Sequence, residues 1–145
     1  MKKQVEKYIS SALEAVTTLL AQPDKSGDKT IVFEEYDGYA ASFGASIITA
    51  GLLPTVSFYT NVHKKEKKKE DEEKKPRRYK MLTALSHILR SNGYNIETGE
   101  TALLDYINTD QRRTNKRLKS DIVAYSIALK LALRNFQHVK SGSES

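Results

Sequence analysis

Apolar residues recur at helical spacing along most of this 145-residue chain. Near the start, apolar positions repeat every three or four residues from Val5 to Leu20, which is typical of an amphipathic helix. The strongest repeat lies near the other end, where apolar residues recur at spacings of four, three, four, four and three from Leu118 to Phe136. The predicted helices cover residues 2–21, 34–50, 77–91, 100–108 and 110–139.

Glycine and proline mark a further helical step inside the first half. Gly51 suits the end of one helix and Pro54 the first turn of the next. Thr30–Phe33 has strand propensity, but helical spacing takes over from Glu34, so no β-strand is predicted. The predicted fold is an all-α, single-domain bundle of about six helices over residues 1–145. We expect a charged flexible linker at about 63–76 and a disordered tail at about 140–145.

Residues 38–62 form the longest uncharged segment, 25 residues that would be long enough to cross a bilayer. The segment also contains seven Ser, Thr and Asn residues, three glycines and Pro54, so we interpret it as buried core rather than a membrane span. An alternative is that its small residues face another subunit and permit close backbone approach: Ala40, Gly44, Ser46 and Ala50.

The composition argues against catalysis and against a resident cofactor. The chain has no cysteine, which excludes disulfides, thiolate zinc ligands and a cysteine nucleophile, and which fits a reducing cytoplasm. None of the usual phosphate-loop, nucleophile-elbow or zinc-protease motifs is present. The three histidines, His63, His87 and His138, are far apart in sequence. We therefore predict a non-enzyme with no metal, no cofactor and no small-molecule ligand.

Positive charge is concentrated in two blocks, although the net charge is only +6. Residues 63–80 carry +5 and residues 111–145 carry +6, a distribution that suits an anionic partner. Five acidic residues are interleaved with the lysines of the first block, which favours a solvated loop. Within it, Arg77, Arg78 and Lys80 are candidates for a nucleic-acid surface, with Tyr79 as a stacking partner.

The second block is the stronger candidate for phosphate binding. Its cations crowd the start of the predicted helix at Asp110, where the helix dipole favours acidic residues instead. Ser126, Lys130 and Arg134 extend a polar stripe from them at helical spacing. The alternatives are a solvated helix face, or a helix that runs on from Glu100 without any dipole conflict. The candidate nucleic-acid-binding residues are Arg112, Arg113, Lys116, Arg117, Lys119, Lys130 and Arg134.

The segment from Tyr39 to Tyr59 resembles a known family. Its tyrosine, the helix ending in Ile47–Ala50, the Gly51-Leu52 step and the following Val56 and Phe58 are similar to the small subunit of type III-B CRISPR effector (Cmr) complexes. The resemblance implies an all-helical, non-catalytic, antiviral-defence subunit. Copies would stack beside a guide-RNA-bound filament and contact guide and target RNA together with other subunits of the complex.

The chain departs from that family in two respects, and a second class of function stays open. The lysine–glutamate run near residues 63–75 is longer than the family requires, and no function is assigned to it. Residues 34–62 contain no basic residue, so the last helix would carry more of the RNA contacts. The alternative is a small helical DNA-binding regulator, in which residues 77–91 and the next helix form a helix-turn-helix. The acidic character of residues 100–108 disfavours it, because a recognition helix needs cations that read bases.

Overall fold

The computed structural model describes residues 2–60 and 76–140 of the chain. The expected linker and tail lie outside these residues, apart from Pro76 and Lys140. Seven α-helices occur in the described part, one more than the expected number of about six, in a mostly helical domain. The helices are α1 (Lys2–Ala15), α2 (Glu35–Ala50), α3 (Leu52–Thr60), α4 (Arg78–Ser91), α5 (Ala102–Ile107), α6 (Asp110–Arg113) and α7 (Lys116–Leu133). A π-helical turn, Val16–Leu20, extends α1.

Helix α7 lies at the centre of the bundle. It packs against α1, α2 and α4, and α4 in turn contacts α1 and α3. The apolar repeat predicted from the sequence faces this core, because Ile122, Tyr125 and Leu129 are all buried. The edge of the Tyr8 ring meets the Tyr125 ring at a centroid distance of 4.6 Å, which joins α1 to α7.

Helices α2 and α7 approach each other closely. A methyl group added at Gly44 would lie 3.3 Å from the Ser126 hydroxyl oxygen, so a larger residue has little room there. Phe43 and Ile47 of α2 are fully buried, which confirms the core interpretation for this part of the uncharged segment. Ala50, by contrast, is exposed within the chain.

The step between α2 and α3 follows the prediction. Gly51 has φ +100°, a conformation that residues with a Cβ rarely adopt, and its N–H donates to the Ile47 carbonyl at 3.0 Å. Pro54 lies in the first turn of α3, where its missing N–H costs no hydrogen bond. In the described part of the chain, no helix combines the length and the apolar character that a bilayer crossing requires.

The expectation of no β-strand was wrong. Three short strands, β1 (Gln22–Pro23), β2 (Thr30–Phe33) and β3 (Gln137–Val139), form a sheet in the order β1-β2-β3. Strand β1 is antiparallel to β2, and β3 is parallel to it with Val32 opposite His138. Ile31, Val32 and Phe33 are all buried, as expected for a strand covered on both faces, and burial in the tertiary fold decides the conformation of this run.

The long helix predicted over residues 110–139 is also corrected. It is divided into α6 and α7, and it ends at Leu133 before the chain turns into β3. The physical cause of the division is a helix cap, because the Asn115 side chain accepts a hydrogen bond from the Leu118 N–H at 3.0 Å. Thr109 caps α6 in the same way, accepting from the Arg112 N–H at 3.2 Å.

Candidate nucleic-acid interface

The first turn of α7 contains three cations and no acidic residue. Lys116, Arg117 and Lys119 follow the Asn115 cap directly. The dipole conflict predicted near Asp110 therefore occurs at Lys116 instead, and each cation there costs about 0.3–1 kcal/mol relative to a favourable charge. An excess of cations where the backbone N–H groups also point outward makes this end of α7 strongly attractive to anions.

Arg112 and Arg113 lie in the last turn of α6 and are partly engaged within the chain. The Arg112 guanidinium lies 4.0 Å from the centroid of the Tyr106 ring and donates to the Tyr106 carbonyl at 3.1 Å. Arg113 pairs with Asp110 and donates to the Asn108 side-chain oxygen at 3.1 Å. Both arginines are exposed, and each guanidinium has five N–H donors, so phosphate contact would use the remaining ones.

Four of the predicted cations share the solvent-facing side of α7 and its C-cap. The rise of an α-helix separates the first and last of them by roughly 27 Å. Among the described residues, none of the four takes part in an ion pair, and only Lys130 is half-buried. We call this set the lysine stripe: Lys116, Lys119, Lys130 and Arg134.

An apolar patch interrupts the lysine stripe. Ile127 is 46% exposed between Lys119 and Lys130, and Ile48 of α2 is 72% exposed beside it. A groove of about 220 Å³ runs between the two helices here. We call it the α2–α7 groove, and the residues that line it are Ala40, Ala41, Gly44, Ala45, Ile48, Val123, Ser126, Ile127 and Lys130.

Ser126 does not belong to the exposed surface, contrary to the predicted polar stripe. It is buried, and its hydroxyl donates to the Val123 carbonyl at 2.7 Å. A helical phase of 100° per residue places it at the border between the buried side of α7 and the lysine stripe, where Gly44 of α2 packs closely against it. Lys130 and Arg134 are therefore separated from the first-turn cations by apolar rather than polar side chains.

Arg117 points away from the lysine stripe. It lines a cavity of about 240 Å³ whose other walls include Tyr8, Tyr94, Asp121 and Tyr125. The Tyr94 hydroxyl donates to the Asp121 carboxylate. Burial, and next this hydrogen bond, raise the pKa of Tyr94, while the nearby Arg117 charge opposes the rise. The structure thus does not bring all seven predicted cations onto one face.

An aromatic cluster at the start of α4 was not predicted. The Arg78 guanidinium lies 5.2 Å from the Tyr39 ring centroid and 5.1 Å from that of Phe58. Phe58 is 60% exposed, although it belongs to the uncharged segment that the sequence assigned to the core. In the sequence, the adjacent cations Arg77 and Arg78 marked this region, but the aromatic residue predicted to act with them was Tyr79.

The region after α4 lacks the features of a DNA-reading motif. The next helix, α5, has six residues, with Asp105 as its one charged side chain. Its Leu103 and Ile107 are buried. A recognition helix requires exposed side chains that donate to base edges, and α5 presents none.

The histidines in the described part of the chain serve local contacts. His87 Nε2 lies 2.7 Å from Glu14 Oε1, and this contact joins α1 to α4. His138 Nε2 donates to the Leu133 carbonyl at 2.8 Å. Within residues 2–60 and 76–140, no three histidine, aspartate or glutamate side chains converge as metal ligands would.

Fold and surface together define a small, mostly helical protein in which α7, the longest helix within residues 2–60 and 76–140, begins with exposed cations. The family model of the CRISPR-associated protein Cas_Cmr5 matches residues 4–132. The chain belongs to this family, which confirms the resemblance first carried by residues 39–59. No curated protein and no solved structure matches the chain.

Proposed function

We propose that this protein is the non-catalytic small subunit of a cytoplasmic type III-B CRISPR RNA-guided effector complex. It packs beside the guide-RNA filament, against other subunits and neighbouring copies of itself. It contacts the phosphates of guide and target RNA through the predicted cations on α6 and α7. Family membership supports the assignment to CRISPR defence, and the surface of α7 supports the contact with RNA.

The start of α7 is the observation that carries the RNA contact. Lys116, Arg117 and Lys119 stand in a turn whose dipole disfavours them, with no acidic residue to compensate. A phosphate group would neutralise Lys116 and Lys119 of the lysine stripe and accept from N–H groups of the same turn. Because double-stranded RNA is recognised through its backbone shape and charge, such contacts would depend little on sequence.

The α2–α7 groove supports the packing of a neighbouring protein subunit. Ile48 and Ile127 expose large apolar side chains on either side of it. Burying them under a partner would contribute about 25 cal/mol for each Å² of apolar surface removed from water. The protein and RNA contacts can coexist, because the groove lies between the two cationic ends of α7.

Charge reversal tests the RNA contact. We expect the double variant K116E/K119E to weaken binding of a 20-base-pair RNA duplex. It should also reduce the log–log salt slope by about 0.7–0.9 for each lost phosphate contact. The matched control is K25E/K29E, which makes the same charge change at exposed lysines near the β1–β2 turn. Equal affinity and equal slope for wild type and K116E/K119E would contradict the RNA role.

Purification of the tagged protein from its native host tests the assembly. Short RNAs with a common repeat-derived end, together with several partner proteins, are the expected result. Recovery of the bare protein with no RNA would contradict the proposal. Recovery of one defined duplex DNA sequence would favour a DNA-binding regulator instead.

A further inference from the structure

More than half of the Phe58 side chain is exposed to solvent, although its ring carries no polar group. Its immediate neighbours hold it in place. The Tyr59 ring meets it edge-on at a centroid distance of 6.0 Å, and Tyr59 itself is buried. The Tyr59 hydroxyl donates to the Tyr39 carbonyl at 2.7 Å, which fastens α3 to α2. The exposed Phe58 ring therefore packs against a residue, Tyr59, that is itself buried and hydrogen-bonded.

The planar cation of Arg78 lies close to two aromatic rings. Its guanidinium is within cation–π distance of both Tyr39, at 5.2 Å, and Phe58, at 5.1 Å. The Arg78 side chain is exposed, so its N–H donors still reach solvent. The guanidinium and the exposed Phe58 ring thus lie together at the surface, and flat π-systems pack well against such groups.

Basic residues flank this cluster on α4, and two acidic residues, Glu35 and Asp37, stand in the first turn of α2. Arg77, Arg78 and Lys80 stand at the start of α4, and the first turn of that helix contains no acidic residue. An apolar protein partner would be served by Phe58 alone and would gain nothing from three neighbouring cations. Aromatic rings interleaved with cations are instead the pattern that binds single-stranded nucleic acids, in which bases stack and phosphates meet Lys or Arg.

The cluster lies at the same end of the bundle as the last turn of α7. The backbone of Arg77 hydrogen-bonds to the Tyr36 hydroxyl in the first turn of α2. Just before α2, the Glu34 N–H donates at 2.9 Å to the Val139 carbonyl of β3, the strand that follows α7. An RNA strand bound at Arg134 would therefore pass near this aromatic cluster.

We propose that Phe58, Arg78 and Tyr39 form a stacking site for an unpaired base of an RNA strand. The base lies against the exposed Phe58 ring, and the cations at the start of α4 contact the flanking phosphates. This inference rests on the proposed function for the identity of the nucleic acid as RNA. It adds a second contact of a different kind, specific for single strands rather than duplexes.

The test uses the full chain and a 12-nucleotide single-stranded RNA that contains 2-aminopurine, a fluorescent adenine analogue. We expect F58A to weaken binding roughly 5- to 100-fold, the usual effect of removing one stacking ring. The quenching of 2-aminopurine seen with wild type should be lost in F58A and kept in F58W. R78K, which keeps the charge but not the planar group, should weaken binding less than R78A.

The matched control is L19A, which removes a partly exposed apolar side chain in the π-helical turn, outside both the cluster and the α2–α7 groove. It should bind the single strand as wild type does, and circular dichroism checks that each variant is folded. Equal affinity and quenching for F58A and wild type would overturn the stacking site, as would the absence of single-strand binding by wild type. So would an F58A variant that binds RNA normally but no longer assembles with its partner subunits, because the ring would then dock a protein.

This result can be separated from the test of α7. The duplex RNA reports on K116E/K119E, and the single strand reports on F58A. If K116E/K119E binds the duplex as wild type does while F58A loses the single strand, the proposed RNA contact of α7 fails and the stacking site stands. The opposite pattern retains the α7 contact and removes the stacking site.

Discussion

The hydroxyl of Tyr94 donates a hydrogen bond to the carboxylate of Asp121. Tyr94 belongs to the loop after α4, and Asp121 lies in the second turn of α7, one helical turn beyond Arg117. The contact therefore fastens the loop to the end of α7 that carries the first-turn cations. It holds that end of the helix against the loop.

Removing the Tyr94 hydroxyl should loosen this end of α7. We expect Y94F to lower the free energy of unfolding by about 1–2 kcal/mol, because Asp121 loses a donor in a half-buried position. Urea unfolding measures the change, and Y106F is a suitable control. Tyr106 meets Tyr94 edge-on at a centroid distance of 6.4 Å, and the Tyr106 contacts described above use its ring and carbonyl. Equal stability of Y94F and Y106F would show that the hydrogen bond contributes nothing.

Alkaline pH should destabilise the folded protein through its buried and half-buried tyrosines. Burial raises the pKa of Tyr36, Tyr94 and Tyr125 well above the ordinary value. In the unfolded chain these hydroxyls ionise near pH 10, so the unfolded state binds fewer protons above that pH and folding stability falls as the pH rises.

The absorbance of tyrosinate measures this effect. Of the eight tyrosines, Tyr36, Tyr94 and Tyr125 should stay neutral beyond about pH 11 and then ionise together as the protein unfolds. Circular dichroism follows unfolding on the same samples. Smooth, reversible ionisation of all eight near pH 10 in a protein that stays folded would contradict the prediction.

Two glycines of α2 provide a matched pair for the close contact with α7. Gly38 has open space where a methyl group would be added, whereas Gly44 faces the Ser126 hydroxyl at 3.3 Å. Replacing glycine by alanine inside a helix stabilises it by about 1 kcal/mol when there is room. We therefore expect G38A to raise stability by about that amount and G44A to gain less or to lose stability.

A double-mutant cycle shows whether Ser126 causes the difference. The substitution S126A should be more favourable in the G44A background than in wild type, by roughly 0.5 kcal/mol or more. Urea midpoints of the four proteins supply the comparison. If the effects of G44A and S126A simply add, the helices are not in close contact at this point.

The buried side of α7 was predictable because the apolar spacing is regular, and Ile122, Tyr125 and Leu129 from that repeat are all buried. The division between α6 and α7 was harder to predict, since it depends on Asn115 capping a helix rather than continuing one. The strands were missed because β3, with the sequence Gln137-His138-Val139, has no apolar alternation of its own. Its conformation comes from a partner strand distant in the sequence.

The candidate cations were identifiable as residue types, but their directions were not. Arg117 and Lys119 are two residues apart. Arg117 nevertheless lines the cavity beside Tyr94 and Asp121, whereas Lys119 belongs to the lysine stripe. That difference follows from the helical phase, which becomes known only when the first residue of α7 is fixed. Phe58 was missed because an uncharged run indicates burial on average and does not identify the one ring that faces solvent.

The parallel pairing of β2 with β3 has a consequence for synthesis. The two strands are more than 100 residues apart along the chain, and every helix from α2 to α7 is translated between them. Closing so long a loop is entropically costly unless the intervening helices have already packed. On the ribosome, therefore, β2 waits with one edge unpaired until β3 emerges, and this interval is the period when the nascent protein is most exposed to pairing with the wrong strand.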